Sequence, residues 1–251
     1  LPGVQQQLIQ AVAATGTPVI VVLTTGRPYA IPWIAEHIPA VLEAWFPAEQ
    51  GGAAVADVLF GVVNPAGKLP IAFPRHVGQI PMQYNHKPSG GRTHWQGQYI
   101  ELATDPLYPF GHGLSYTRFE YADLRITPEK LDAQTIVQVS VNVTNTGSRV
   151  GEEVVQLYVG DPVASVTRPV QALKGFIRVM LAPHECRTIT FELDVRHLAF
   201  YDRAMRYQVE PGVIHVEVGS SSKDIRLKGT FEIVGASADV EQVYLTPVRV
   251  E

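Results

Sequence analysis

The segment Pro88-Ser-Gly-Gly-Arg-Thr-His-Trp-Gln-Gly-Gln-Tyr99 gathers the side chains best suited to grip a polyhydroxylated ligand. Trp95 and Tyr99 offer flat apolar faces for C–H groups, and Arg92 and His94 offer hydrogen bonds to hydroxyls, so the composition suits a sugar. A surface loop simply pinned by Trp95 is the competing reading of the same residues. A second stretch, Glu49-Gln50-Gly51-Gly52, joins the C-terminal end of an apolar run to the start of a helix. Open α/β sheets bind ligands at such junctions, although a Glu or Gln in a first helical turn also meets the helix dipole favourably.

Other chemistries fail on spacing. Gly61 to Lys68 places five residues between its glycines and Leu69 after the lysine, where a phosphate loop needs four residues and then Ser or Thr for magnesium. Gly111-His112-Gly113 begins like a dinucleotide fingerprint but has no βαβ unit around it. The eight histidines show no ligand spacing, so neither a metal nor another cofactor is expected. No Gly-x-Ser-x-Gly elbow occurs, and the single cysteine, Cys186, sits in an alternating strand where a buried inert thiol is expected.

The elements that must position these residues fall into two grammars. Of the 251 residues, 1–118 hold 13 of the 19 prolines. Val4, Leu8, Ile9 and Val12 share one helical face, and Pro18 to Leu23 is an unbroken apolar run that reads as a strand buried on both faces. A short helix at Trp33–His37, a second apolar run at Ala40–Phe46 and a helix at Ala53–Phe60 follow. Helix, strand, helix, strand, helix implies a parallel α/β sheet.

From residue 119 the period becomes two. Val137, Val139, Val141 and Val143 alternate with Gln138, Ser140, Asn142 and Thr144, and Asn145-Thr146-Gly147 supplies a turn. About seven such strands describe a β-sandwich of fibronectin type III kind, with no exposed aromatic row. Residues 236–251 lack a period and read as a tail. The fold class expected is therefore α/β followed by all-β, divided as 1–118, 119–235 and 236–251.

Composition limits the partners. Hydrophobic residues make up 46% and the formal net charge is -4, which argues against disorder and against a nucleic-acid binder. No apolar run approaches the roughly 20 residues that span a bilayer, so no membrane partner is expected.

Read in order, the blocks Leu1-Pro2-Gly3, Ala44-Trp45-Phe46-Pro47 with Gly51-Gly52-Ala53, Asn64-Pro65 with Gly67-Lys68-Leu69-Pro70, and Phe110-Gly111-His112-Gly113-Leu114-Ser115-Tyr116 resemble the C-terminal part of glycoside hydrolase family 3. Glu153 to Val159, Arg168-Pro169-Val170, Leu173-Lys174-Gly175-Phe176 and Glu210-Pro211-Gly212 continue the resemblance through the second half. The family comprises β-glucosidases and β-xylosidases built as a TIM barrel, an α/β sandwich and commonly a fibronectin-like domain.

The resemblance implies that residues 1–118 are the latter part of that sandwich and 119–235 the fibronectin-like domain. It places the nucleophilic aspartate on the barrel and the acid/base glutamate just before Leu1, so no catalytic residue is expected in this chain, which should be inert alone. The partners implied are the missing barrel, the remainder of the sandwich, a β-linked oligosaccharide or glycoside, and a possible second copy of the chain. Trp95 and Tyr99 become a stacking wall beyond the cleaved bond, with Arg92 and His94 as hydroxyl partners. Where the family often has Gly-Gln-Glu-Gly-Gly, this chain has Ala48-Glu49-Gln50-Gly51-Gly52, which displaces Glu49 by one place. A non-catalytic carbohydrate-binding or scaffold protein is the alternative. The compartment stays open, with the periplasm or secretion favoured over the cytoplasm.

Overall fold

The computed structural model describes residues 1–88 and 102–251. They form two compact units. The first comprises residues 1–63, 70–83 and 102–109, and the second 64–69, 84–88 and 110–251.

In the first unit the element order is α1 (Gln5–Ala13), β1 (Ile20–Leu23), α2 (Pro32–His37), β2 (Ala40–Glu43) and α3 (Gly51–Leu59). Proline opens α2, where its missing N–H costs nothing. Strands β1 and β2 pair in parallel, Ile20 opposite Ala40 through Leu23 opposite Glu43. Val21 and Leu23 join Ile31, Ile34, Ile38 and Phe73 in a small core. The expected burial of β1 on both faces is not found: Ile20 is 50% exposed. Side chains alternate along a strand, and only the Val21–Leu23 face is covered by described residues. The apolar stripe of α1 is likewise uncovered, with Val4, Leu8 and Val12 all exposed.

The second unit carries β3 (Phe119–Thr127), β4 (Lys130–Leu131), β5 (Ile136–Asn145), β6 (Gly151–Gly160), β7 (Ala172–Leu181), β8 (Cys186–Asp194), β9 (Phe200–Tyr201), β10 (Tyr207–Val209), β11 (Gly212–Gly219), β12 (Ile225–Ile233), β13 (Ala238–Asp239) and β14 (Val248–Val250). A five-stranded sheet runs β4-β12-β11-β6-β7 and a four-stranded sheet runs β14-β8-β5-β3. Both contribute to one apolar core: Val137, Val139, Val141 and Val143 of β5 meet Val155, Leu157 and Val159 of β6 and Ile214, Val216 and Val218 of β11.

The run Tyr207–Val218 divides at Glu210-Pro211, because proline has no N–H for a ladder. Its first part, β10, pairs with β9 and β13 instead of continuing into β11. The final residues also pair, with β14 adding antiparallel to β8. Among the described residues, far more lie in strands than in helices.

Candidate functional site

The C-terminal ends of β1 and β2 bring three polar groups together in the first unit. Glu43, the last residue of β2, accepts from the Thr25 hydroxyl at 3.1 and 3.2 Å and from the Trp45 amide at 2.9 Å. Burial pushes the Glu43 carboxyl above its ordinary value, against the pull of the Trp45 and Thr25 hydrogen bonds. The sequence reading passed over Glu43, although a lone carboxylate inside the apolar run Ala40–Phe46 is the signal that could have found it.

The loop leaving β2 holds two non-glycine residues in the left-handed region, Trp45 at φ 52° and Ala48 at φ 54°. Such strain persists only where surrounding packing fixes it. Trp45 packs against Phe73 with ring centroids 6.1 Å apart, and a Cβ on Gly51 would run into the Pro47 ring. Glu49 is exposed in the turn before α3, and the residue that caps the helix is Gln50, whose side chain makes no capping hydrogen bond. Arg92, His94, Trp95 and Tyr99 lie outside the described residues, so they are not brought together with Glu49 by anything described.

In the second unit, three distant sequence blocks interlock. Asn64 accepts from the Ser115 hydroxyl (2.9 Å) and the Tyr116 amide (2.8 Å) and donates to the Val150 carbonyl (3.0 Å). Leu69 N donates to the His112 carbonyl, and Gly111 N to the Leu69 carbonyl, both at 2.8 Å. Gly111 has φ 82°, and a Cβ there or on Gly113 would collide with Gln156 or with the Gly67 carbonyl. The Gly-His-Gly segment is thus a backbone-to-backbone contact, which is why glycine is needed at both places.

Beneath it lies a buried charge pair. Lys68 Nζ is 3.5 Å from Glu153, with side chains 12% and 4% exposed, and also donates to the Gly113 carbonyl at 3.1 Å. Glu153 stands on the inward row of β6 and accepts from the Tyr121 hydroxyl of β3 at 2.9 Å. Desolvation raises its carboxyl above the ordinary value despite Lys68. The same burial, together with the charge of Glu153, pushes the Tyr121 phenol well up. Burial and the neighbouring Lys68 lower the His112 imidazole. These groups fasten chain segments distant in sequence.

One expectation for this unit needs correction. Cys186 is exposed: Ile189, Phe191 and Leu193 of β8 point into the core, so period two places residue 186 on the outer row. The second unit also carries exposed aromatic residues away from its long alternating strands. Tyr201 is 60% and Tyr244 78% exposed, and the Tyr201 ring lies 5.1 Å from that of Tyr207. Tyr201 escapes an alternation search because β9 is two residues long, and Tyr244 lies between β13 and β14. Among the described residues no three His, Cys, Asp or Glu side chains group as metal ligands, and no helix is long and apolar enough to cross a membrane.

Comparison with known proteins fits this arrangement. Residues 1–116 match the glycosyl hydrolase family 3 C-terminal domain and residues 153–222 the fibronectin type III-like domain. The chain is 43% identical over 240 residues to a periplasmic β-glucosidase of Salmonella typhimurium, covering 93% of this chain and 31% of that protein. It is 47% identical over 232 residues to a β-xylosidase of Formosa agariphila, covering 91% of this chain and 31% of that protein. The β-glucosidase of Listeria innocua, solved in complex with glucose, superposes with a TM-score of 0.89 at 38% identity, over 94% of this chain and 34% of that one. The chain thus spans about a third of the length of these relatives. With the two domain matches in the order of its two sequence grammars, the chain belongs to glycoside hydrolase family 3, as a C-terminal portion of it.

Proposed function

We propose that this chain is the C-terminal part of a retaining, exo-acting β-glycosidase, of β-glucosidase type, that removes terminal β-D-glucosyl or xylosyl residues from oligosaccharides or glycosides. The observation that carries the reading is that relatives named β-glucosidase and β-xylosidase align over more than nine-tenths of this chain. In a retaining mechanism one carboxylate attacks the anomeric carbon while a carboxylic acid about 5–5.5 Å away protonates the departing oxygen, and water then releases the sugar. On this reading the nucleophile belongs to the barrel and the acid/base glutamate to the segment just before the one matching Leu1, both outside this chain.

The contribution of residues 1–118 is that of the latter part of an α/β sandwich. The uncovered stripe of Val4, Leu8 and Val12 and the half-exposed Ile20 suit a face that packs on the rest of that layer, since large exposed apolar patches mark interaction surfaces. Arg92, His94, Trp95, Tyr99 and Glu49 are proposed to reach the rim of the sugar site, with the aromatics stacking and the polar groups holding hydroxyls.

The test is release of nitrophenol from aryl β-glucoside and aryl β-xyloside by the 251-residue chain and by a longer protein that carries it. The chain alone should be inert and the longer protein active. Turnover by the chain alone, surviving active-site titration, would place catalytic carboxylates among its own residues and refute the assignment. An inert longer protein that still binds sugar would favour the non-catalytic alternative.

A further inference from the structure

The β9–β10 hairpin and the residues after β13 set three tyrosines on one side of the second unit. Tyr201 and Tyr207 are direct cross-strand partners, and residues opposite one another on paired strands project from the same face. Phe200 and Gln208, the neighbouring pair, are buried, so alternation turns Tyr201 and Tyr207 outward. Their rings stand 5.1 Å apart at 52° to one another, which makes an open notch. Tyr244 belongs to the same group. Burial and then the nearby Tyr201 phenol, with a smaller contribution from Tyr244, push the Tyr207 phenol up against the pull of Arg168.

The backbone beneath the rings is pinned. Asp202 closes the β9–β10 turn, accepting from the Ala204 and Arg206 amides at 2.8 and 2.9 Å and pairing with the Arg206 guanidinium at 3.0 Å. Val240 N donates to the Tyr207 carbonyl at 3.2 Å. Beyond Tyr244, the Thr246 hydroxyl donates to the Lys174 carbonyl at 2.5 Å, and His197 Nε2 lies 3.0 Å from the Leu245 carbonyl. A ligand that covers these rings therefore has little further ordering to offset.

The chemistry of the group selects a sugar. The hydroxyls of Tyr201, Tyr207 and Tyr244 have no hydrogen-bond partner among the described residues. The rings thus present apolar faces with free polar edges, which the C–H faces and hydroxyls of a saccharide complement. The carboxylates alongside are already engaged, Asp202 by Arg206 and Glu210 by Ser165, which favours a neutral ligand over a cationic one. Size argues against a protein partner. Strands β9, β10 and β13 are two, three and two residues long. At about 4.8 Å between strands they make a platform roughly 10 Å on a side. That is about 100 Å², far below the roughly 800 Å² that each partner of a stable protein complex buries, and it suits a short stretch of saccharide.

We infer that the platform of Tyr201, Tyr207 and Tyr244 binds a neutral polysaccharide, whose rings stack on the exposed tyrosines and whose hydroxyls meet the phenol oxygens. The inference goes beyond the catalytic reading and does not rest on it.

The experiment is affinity electrophoresis of the full chain in native gels that contain mixed-linkage β-glucan, xylan or polygalacturonate. Wild-type chain should be retarded by β-glucan or xylan more than by polygalacturonate. Tyr201→Ala and Tyr244→Ala should each weaken that binding about threefold or more, and Tyr201→Phe, which keeps the ring, should weaken it less. Thermal unfolding checks that each variant folds; if Tyr201→Ala does not, Tyr244→Ala decides. Unretarded migration of folded wild-type chain, retention by polygalacturonate as strong as by the neutral polymers, or retardation unchanged in folded Tyr244→Ala overturns the assignment. Self-association that Tyr244→Ala abolishes, seen by ultracentrifugation without any retardation, would give the face to a second copy of the chain and overturn it as well. None of these results bears on nitrophenol release, so failure here and failure of the glycosidase reading are separable.

Discussion

Lys68 and Glu153 offer the sharpest test, because the two halves of the pair should respond differently to removal. In Lys68→Met the Glu153 side chain, 4% exposed, keeps the Tyr121 hydroxyl but loses its nearest cation. It then either stays charged at high cost or takes up a proton. Protonating a carboxyl of ordinary value 4.5 at pH 7 costs about 3 kcal/mol at ~1.36 kcal/mol per unit, which caps the electrostatic penalty. The lost bond to the Gly113 carbonyl adds about 1 kcal/mol at every pH. The expected loss is about 3–4 kcal/mol at pH 7.

The pH dependence follows in sign from the raised Glu153 value. A carboxyl that binds its proton more tightly when folded contributes stability below its unfolded value and loses it as pH rises through the folded one. Without Lys68 that window widens, so the penalty of Lys68→Met should shrink to about 1 kcal/mol near pH 4. Glu153→Gln keeps an acceptor for Tyr121 and leaves Lys68, which is partly solvated and still bound to Gly113, so it should cost only about 1 kcal/mol. The double variant should recover about 2 kcal/mol relative to the sum of the singles. Urea unfolding read by far-ultraviolet circular dichroism is the assay, because Trp33, Trp45 and Trp95 all precede residue 96 and report poorly on the sandwich. Equal penalties for the two single variants, or a Lys68→Met penalty unchanged between pH 4 and pH 7, would refute the reasoning.

Ala48→Gly should stabilise the first unit by about 0.5–1 kcal/mol, since a left-handed residue with a Cβ is strained and glycine there is not; tryptophan fluorescence in urea measures it. Asn145→Ala should cost about 3 kcal/mol or more: the fully buried side chain accepts from Thr117 and Gly147 and donates to the Arg149 and Leu181 carbonyls, and thermal unfolding would show the loss. Cys186 should react with a thiol reagent in the native protein without denaturant, as its exposure requires; reaction only after unfolding would contradict the register of β8.

The sequence made some of this legible and hid the rest for identifiable reasons. The alternation of Val137 to Val143 predicted a core-facing row, and all four are fully buried. Strand β6 shows no alternation because both its faces are covered. Val155, Leu157 and Val159 enter the core, while Gln156 donates to the Gly111 carbonyl and Tyr158 meets the Tyr84 ring edge-on. That cover comes from residues far away in sequence, which no local period can announce. Glu43 was missed for a related reason. It looks ordinary in its own segment, and only tertiary placement removes water from it.

The assignment of residues 64–69 and 84–88 to the sandwich unit bears on how such a protein can be inherited. The strap that clothes β6 is encoded upstream of the strands, among stretches that fold into the other unit. A gene fragment starting near residue 119 would encode every long strand of the sandwich and yet leave Gln156 and Tyr158 without their cover. A single recombination junction near residue 119 would therefore deliver the sandwich strands without the upstream strap that covers β6.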